Sequence, residues 1–151
     1  SSRVTGIDLS AGMLAVLREK FPDKEIELIQ DSYFDVPLGR EVYDAAVSVE
    51  SLHHFTREEK TPLYTKLREA IVPGGYFILT DYFAHEEAFE VFCRSELNRL
   101  KAEQGLTDQD FYHYDTPLTL AHETEALEEG GFRKIEHLKR WGNTWTIRAY
   151  K

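Results

Sequence analysis

The sequence predicts a doubly wound α/β fold, with a mostly parallel sheet that ends in an antiparallel hairpin. Short strand patterns alternate with helical patterns over most of the 151 residues. Two further strand patterns, 134–141 and 145–150, close the chain and are joined by Gly142-Asn143. That pair supplies the positive φ that a tight hairpin requires. We therefore expect one domain over residues 1–151.

The first two strands are short, and each leads into an acidic residue. The strand pattern 4–9 contains Asp8, and Ser10 then fits a helix N-cap, with Pro22 ending the helix. The second strand pattern, 25–30, is followed directly by Asp31. Because parallel strands end at the same edge of a sheet, both carboxylates are expected at one ligand-binding edge.

The stretch 42–55 is the centre of the predicted sheet. Its first half is small, β-branched and apolar, which is typical of a strand that is buried on both faces. Glu50, Ser51, His53 and His54 follow at once. Ligands bind at the carboxyl ends of strands in open α/β sheets, so we expect the chemistry at this strand exit.

The remaining elements follow from capping and turn signals. A helix begins either after Thr56, whose spacing to Glu59 fits a capping box, or at Thr61-Pro62. Residues 72–75 predict a turn before a strand at 76–81. Two more helices are expected, one ending near Gly105 and one running from Thr119 to Gly130-Gly131, with a polar and aromatic loop at 107–117 between them.

Composition excludes several classes of function. The net charge is −9 with a pI of about 5.1, and the basic residues form no dense run, which argues against nucleic-acid binding. No stretch approaches the roughly 20 apolar residues of a membrane span, and no signal peptide is expected. The only cysteine, Cys93, cannot form an internal disulfide, which favours a cytoplasmic location.

The two acids suit a nucleoside. A carboxylate accepts hydrogen bonds from two vicinal ribose hydroxyls, and a second carboxylate can receive the amino group of a purine. An NAD-dependent oxidoreductase would also place an acid after its second strand, although it needs neither Asp31 nor the closing hairpin. That class of enzyme and a non-enzymatic remnant are the two alternatives to the family described next.

The order of the motifs resembles that of the class I S-adenosylmethionine-dependent methyltransferases of the small-molecule type, which have a Rossmann-like fold. The resemblance spans nearly the whole chain and is carried by five segments: Gly6–Ser10, Gln30–Ser32, Tyr43–His54, Val72–Phe77, and Gly130–Phe132 with the closing hairpin. It implies S-adenosyl-L-methionine as cofactor, a small-molecule methyl acceptor and in-line methyl transfer.

The resemblance also implies roles for individual residues. Asp8 would bind the ribose, and Asp31 and Ser32 would contact the adenine. Leu9 is also expected to contact the cofactor. Met13 would pack against the adenine unless it belongs to the core. Val49 and Glu50 would contribute backbone near the methionyl part. His54 or His53 would face the acceptor, as a general base or as a hydrogen-bonding wall. Tyr114 lies in a loop that borders the acceptor in the family, or in a plain surface loop. No metal is expected, because no ligand spacing such as HExxH occurs.

The chain departs from the family at its start. The family's first strand and glycine-rich turn should precede Val4, and neither is present in the 151 residues. The domain is therefore expected to be truncated, with a slot between the strands at 4–9 and 43–49. A longer polypeptide, a strand from a second copy in a homodimer, or closure of the two halves would resolve that slot.

Overall fold

The computed structural model describes residues 2–151, and the chain divides into two compact units, one ending at Pro37 and one spanning Leu38–Lys151. The strands form two hydrogen-bonded sheets, one in each unit. No helix within the described residues is both long enough and apolar enough to cross a membrane.

The first unit contains β1 (Val4–Asp8), α1 (Ala11–Lys20) and β2 (Ile26–Gln30). The two strands are parallel, with Asp8 opposite Gln30. The predicted N-cap of α1 is confirmed, since Ser10 Oγ accepts a hydrogen bond of 3.2 Å from the backbone N–H of Met13. A side chain at Gly6 would lie within 3.2–3.3 Å of Leu28 and Leu17, so the glycine lets the helix pack closely on this strand pair.

The second unit contains most of the secondary structure. Its elements are β3 (Tyr43–Val49), a 3₁₀ turn (Leu52–His54), α2 (Arg57–Ala70), β4 (Ile71–Tyr82), α3 (Glu87–Glu103), α4 (Leu120–Glu129), β5 (Arg133–Trp141) and β6 (Thr144–Tyr150). The strand order is β3-β4-β6-β5, with β3 and β4 parallel and the other two pairs antiparallel. The closing hairpin is therefore as predicted, and Gly142 has a φ of +59°.

The core of the second unit lies between its sheet and helices α2 and α4. Fully buried apolar and aromatic side chains come from the sheet, from both helices and from the turn between α4 and β5, among them Tyr64, Phe77, Leu79, Leu127, Phe132 and Ile147. Burial of aromatic and aliphatic side chains at this level is the main source of folding free energy in a domain of this size. This unit therefore has a complete core of its own.

Strand β3 is not buried on both faces, contrary to the sequence prediction. Val47 and Val49 lie on the same face and are 67% and 60% exposed. β3 is an edge strand of its sheet, paired only with β4. An apolar strand can be buried on both faces, but only where other elements pack against both of them, and the strand's own composition does not show this.

The start of α2 matches one of the two predicted alternatives, whereas the start of β4 differs from the prediction. α2 begins at Arg57, where the Glu59 carboxylate accepts hydrogen bonds from the N–H and hydroxyl of Thr56, and Pro62 lies inside the helix instead of starting it. β4 begins at Ile71, directly after α2. The pairing jumps from Ile71 to Tyr76 while β3 advances only from Tyr43 to Ala45, so the predicted turn at 72–75 is a bulge inside the strand.

Candidate functional site

The acids of the first unit lie together at the carboxyl edge of its strand pair. Asp8 Oδ1 accepts a 2.7 Å hydrogen bond from the backbone N–H of Ser10, which orders the turn into α1. Asp31 follows β2 and accepts a 2.7 Å hydrogen bond from the backbone N–H of Ser32. Ser32 Oγ in turn accepts one of 3.2 Å from the N–H of Phe34. Both acids therefore lie at the same edge of this strand pair, and their role in binding stays a prediction.

Two apolar side chains beside Asp8 are open to solvent. Leu9 is 68% exposed and Met13 is 60% exposed. The alternative reading of Met13 as a core residue is therefore wrong, because only Leu14 of α1 is buried. Exposed apolar groups next to a carboxylate at a strand end match what an adenosine needs, namely hydroxyl acceptors beside an apolar surface.

In the second unit, the backbone turns sharply at the end of β3. Glu50 has a φ of +46°, in the left-handed region that non-glycine residues seldom occupy. Its backbone N–H donates a 2.8 Å hydrogen bond to the Thr80 carbonyl, which holds the turn against β4. The chain then enters the 3₁₀ turn that carries both histidines.

Asp81, near the end of β4, holds His53 in place. The carboxylate is 1% exposed, and its Oδ1 lies 2.6 Å from Nδ1 of His53. Its Oδ2 accepts a 3.0 Å hydrogen bond from the backbone N–H of Leu52, so both oxygens are engaged. An ionised carboxylate can only accept, so His53 Nδ1 carries a proton, and in the neutral imidazole the lone pair lies on Nε2.

His54 faces Asp115, which lies in the loop before α4. Asp115 Oδ1 is 3.0 Å from His54 Nδ1 and 3.5 Å from His53 Nε2. The first contact is short but lacks hydrogen-bond geometry, so His54 Nδ1 is buried without a hydrogen-bond partner among the described residues. The loop is tied to the 3₁₀ turn by a 2.7 Å hydrogen bond from Thr116 N–H to the His53 carbonyl.

The two imidazoles differ in their electrostatic surroundings. The hydrogen bond to Asp81 raises the pKa of His53 above its ordinary value, against the opposing effect of burial. Burial lowers the pKa of His54, and the neighbouring His53 lowers it further. Their rings lie 4.0 Å apart, and the ring of His113 lies 4.5 Å from that of His54. Adjacent histidines with opposite shifts are typical of functional sites.

A cavity of about 380 Å³ opens beside this cluster. Its walls are mostly aromatic and come from β4, α3 and the loop before α4: Tyr82, Phe89, Phe92, Cys93, His113, Tyr114, Asp115 and Pro117. Tyr114 is thus a wall residue of the cavity, and burial raises the pKa of its hydroxyl. Burial also raises the pKa of the Cys93 thiol, which argues against a nucleophilic role.

Sequence reasoning missed the carboxylates that organise the histidines. Asp81 is the penultimate residue of β4, as Asp8 is the last residue of β1, and the same strand-end rule would have selected it. Asp115 lies in the loop that the resemblance places beside the acceptor, but its contact with the histidines could not be predicted, because they are 61 and 62 residues away along the chain. Only the fold brings that loop onto the 3₁₀ turn.

Comparison with known proteins finds similarity to methyltransferases. Residues 1–75 match the family described as a methyltransferase domain. Fatty-acid O-methyltransferase of Mycolicibacterium smegmatis is 31% identical over 77 residues, which cover 51% of this chain and 27% of that protein. Carboxy-S-adenosyl-L-methionine synthase of Campylobacter jejuni is 23% identical over 160 residues, covering 99% and 67%. The chain therefore spans about a quarter and about two thirds of these two relatives.

Solved structures of methyltransferases have the same fold as this chain. An S-adenosylmethionine-dependent methyltransferase from Mesorhizobium loti superposes with a TM-score of 0.69 at 18% identity, over 100% of this chain and 81% of that one. The predicted Rossmann-like α/β fold is thereby confirmed. Together these matches support an S-adenosylmethionine-dependent methyltransferase, with S-adenosyl-L-methionine as cofactor.

Proposed function

We propose that this domain transfers a methyl group from S-adenosyl-L-methionine to a small-molecule acceptor, in the cytoplasm. The observation that carries the proposal is the histidine pair that follows β3 beside the aromatic cavity, in which buried Asp81 holds His53. A strand exit of this kind is where α/β enzymes place their chemistry.

The first unit supplies groups that fit the adenosine part of the cofactor. Asp8 accepts hydrogen bonds from the two ribose hydroxyls, while Asp31 and Ser32 contact the adenine. Leu9 and Met13 provide the exposed apolar surface on which the nucleoside packs. This division matches the chemistry of the donor set, a carboxylate for vicinal hydroxyls and apolar groups for a flat ring.

Val49 and Glu50 contribute backbone groups near the methionyl half of the cofactor. Val49 ends β3, and the left-handed turn at Glu50 redirects the backbone there. Backbone groups at such a turn can bind a polar ligand whatever the side chain of the residue is. The side chain of Glu50 is therefore less important to this role than its conformation.

The cavity supports a small acceptor. A volume of about 380 Å³ is within the range of small-molecule sites, which run from roughly 300 to 1,000 Å³. Its aromatic walls favour an apolar or flat molecule, and Tyr114 and Asp115 provide polar contacts at one side. The acceptor's nucleophilic atom is held there, next to the imidazoles.

Methyl transfer depends mainly on aligning the acceptor atom with the methyl carbon of the cofactor. Bound S-adenosyl-L-methionine supplies a methyl carbon that its sulfonium already activates. The protein's task is to place the acceptor in line and, where the acceptor is a hydroxyl, to remove its proton. His53 Nε2, which carries the lone pair, or His54 accepts that proton, and Tyr114 orients the acceptor by hydrogen bonding.

Calorimetry with S-adenosylhomocysteine tests the cofactor half of the proposal. We expect wild-type chain to bind it and not NADH, and Asp8→Ala to weaken binding about ten-fold, because losing a hydrogen bond to a charged group costs about 1.5 kcal/mol or more. Asp8→Asn keeps an acceptor for the Ser10 N–H and controls for the turn, while exposed Asp23→Ala controls for charge. Equal affinities for wild type and Asp8→Ala would refute the ribose role.

A further inference from the structure

We propose that His53, His54 and Asp115 form a binding site for a divalent transition-metal ion, with Zn²⁺ as the best match. The three side chains come from the 3₁₀ turn and from the loop before α4. Each offers one ligand atom, and these atoms lie within 4.8 Å of one another. The sequence suggested no such site because two ligands are adjacent in the chain and the third lies in a distant loop.

The distances around Asp115 fit an ion with little rearrangement. Zn–N and Zn–O bonds measure about 2.0–2.2 Å, so two ligand atoms on one tetrahedral ion lie about 3.3–3.5 Å apart. Asp115 Oδ1 is 3.0 Å from His54 Nδ1 and 3.5 Å from His53 Nε2. Both separations are close to that value, and the carboxylate sits between the two imidazoles.

The support behind His53 is the kind that metal sites use. A histidine ligand generally donates its other ring N–H to a carboxylate, which sets the tautomer and orients the ring. Asp81 performs this task at 2.6 Å, and its second oxygen is held by the N–H of Leu52. The lone pair of His53 Nε2 is consequently fixed on the side of Asp115.

His54 provides the independent observation. Its Nδ1 is buried and has no hydrogen-bond partner within the part of the chain that the structure describes. Buried polar atoms in native structures nearly always have a partner, so this one needs an explanation. Coordination to an ion held by Asp115 would satisfy the nitrogen directly.

The donor set selects the class of metal. Two imidazoles and one carboxylate suit Zn²⁺ and other borderline transition ions, whereas Mg²⁺ and Ca²⁺ prefer oxygen ligands alone. Three protein ligands also leave a coordination position open. Asp115 and His113 both line the cavity, so an ion here would lie at its polar side.

The inference concerns binding and stands apart from the proposed methyl transfer. A metal-bound His53 Nε2 has no lone pair to offer, so proton acceptance by that atom belongs to the metal-free protein. Cofactor binding by Asp8 in the first unit involves none of the three ligands.

Titration of the chelator-treated full chain with zinc chloride, followed by calorimetry, tests the site. We expect one equivalent to bind, Asp115→Asn and His54→Ala each to weaken binding at least ten-fold, and Asp81→Asn to weaken it roughly 10- to 100-fold. His85→Ala is the matched control, because that imidazole is half exposed and lies outside the cluster, and it should bind zinc like wild type.

Absence of saturable zinc binding, or equal affinity in wild type and Asp115→Asn, would overturn the proposal. Asp115 is exposed in a loop, so its conservative change keeps the test decisive even if the buried Asp81→Asn change unfolds the chain. A second readout is the zinc-dependent rise in melting temperature, which should be present in wild type and lost in Asp115→Asn. Measuring S-adenosylhomocysteine binding on the same samples separates failure of the metal site from failure of the proposed function.

Discussion

Glu50 shows how a single residue shapes the site. Its φ of +46° places an L-residue in the left-handed region between β3 and the histidine turn. Such a conformation costs on the order of 1–3 kcal/mol and persists only where the surroundings impose it. The hydrogen bond from its N–H to Thr80 is one of the contacts that do so.

We expect Glu50→Gly to leave the free energy of unfolding unchanged or to raise it by up to about 1 kcal/mol, because glycine adopts this φ without steric cost. Glu50→Val should lower it by about 1–2 kcal/mol, since a β-branched residue is strained there. Urea denaturation measures both. S-adenosylhomocysteine affinity should be the same in Glu50→Gly as in wild type, and a large loss would show that the side chain itself binds.

For single residues, the sequence predicts where a site residue lies better than it predicts which other residues it contacts. Asp8, Asp31, His53 and His54 follow strands, and the strand-end rule located them. The proton position on His53 and the unpaired nitrogen of His54 depend on Asp81 and Asp115, which approach only after the sheet and loop have formed. No spacing in the sequence encodes those approaches.

At the scale of elements, α2 and α4 are joined by a buried ion pair. Lys60 Nζ lies 2.7 Å from Glu123 Oε2, and both residues are 1% exposed. The hydroxyl of Tyr64, also on α2, donates a hydrogen bond to the other carboxylate oxygen of Glu123. A buried pair contributes little net stability, but removing one partner leaves an uncompensated charge.

We therefore expect Lys60→Met or Glu123→Leu alone to lower the free energy of unfolding by about 3–5 kcal/mol. The double change Lys60→Met with Glu123→Leu should cost much less than the sum of the single changes. Arg94→Ala, which removes an exposed 2.6 Å pair between α3 and Glu58, should cost less than about 1 kcal/mol. Guanidinium denaturation measures the free energy of unfolding of the four variants. If the loss in the double variant equals the sum of the losses in the two single variants, Lys60 and Glu123 are not energetically coupled and the prediction is wrong.

The elements themselves were largely predictable because their signals are local. Thr56 with Glu59, Ser10, and Gly142-Asn143 marked real boundaries, since caps and tight turns depend on a few neighbouring residues. The bulge at 72–75 was read as a turn because Pro-Gly-Gly is common to both, and only pairing with β3 separates them. The ion pair of α2 and α4 joins residues 63 apart and could not be predicted.

For the whole molecule, the two units differ in how much structure supports each. The first unit has two paired strands of five residues and a helix whose one buried side chain is Leu14. A two-stranded sheet is at best marginally stable in water. The second unit has a four-stranded sheet whose central strands carry fully buried residues such as Leu79 and Ile147. Stability should therefore be uneven along the chain.

Hydrogen exchange followed by mass spectrometry measures this difference. We expect peptides that cover β1 and β2 to exchange much faster than those that cover β4 and β6, because local opening of the first unit exposes little apolar surface. S-adenosylhomocysteine should slow exchange in the first unit, since a ligand stabilises the state that binds it by RT ln(1 + [L]/Kd). Asp8→Ala is the control in which that slowing should be smaller at the same ligand concentration, because its Kd is expected to be about ten-fold higher. Uniform protection of both units without ligand would contradict the argument, because it would mean that a strand pair and one short helix resist opening as strongly as a full core.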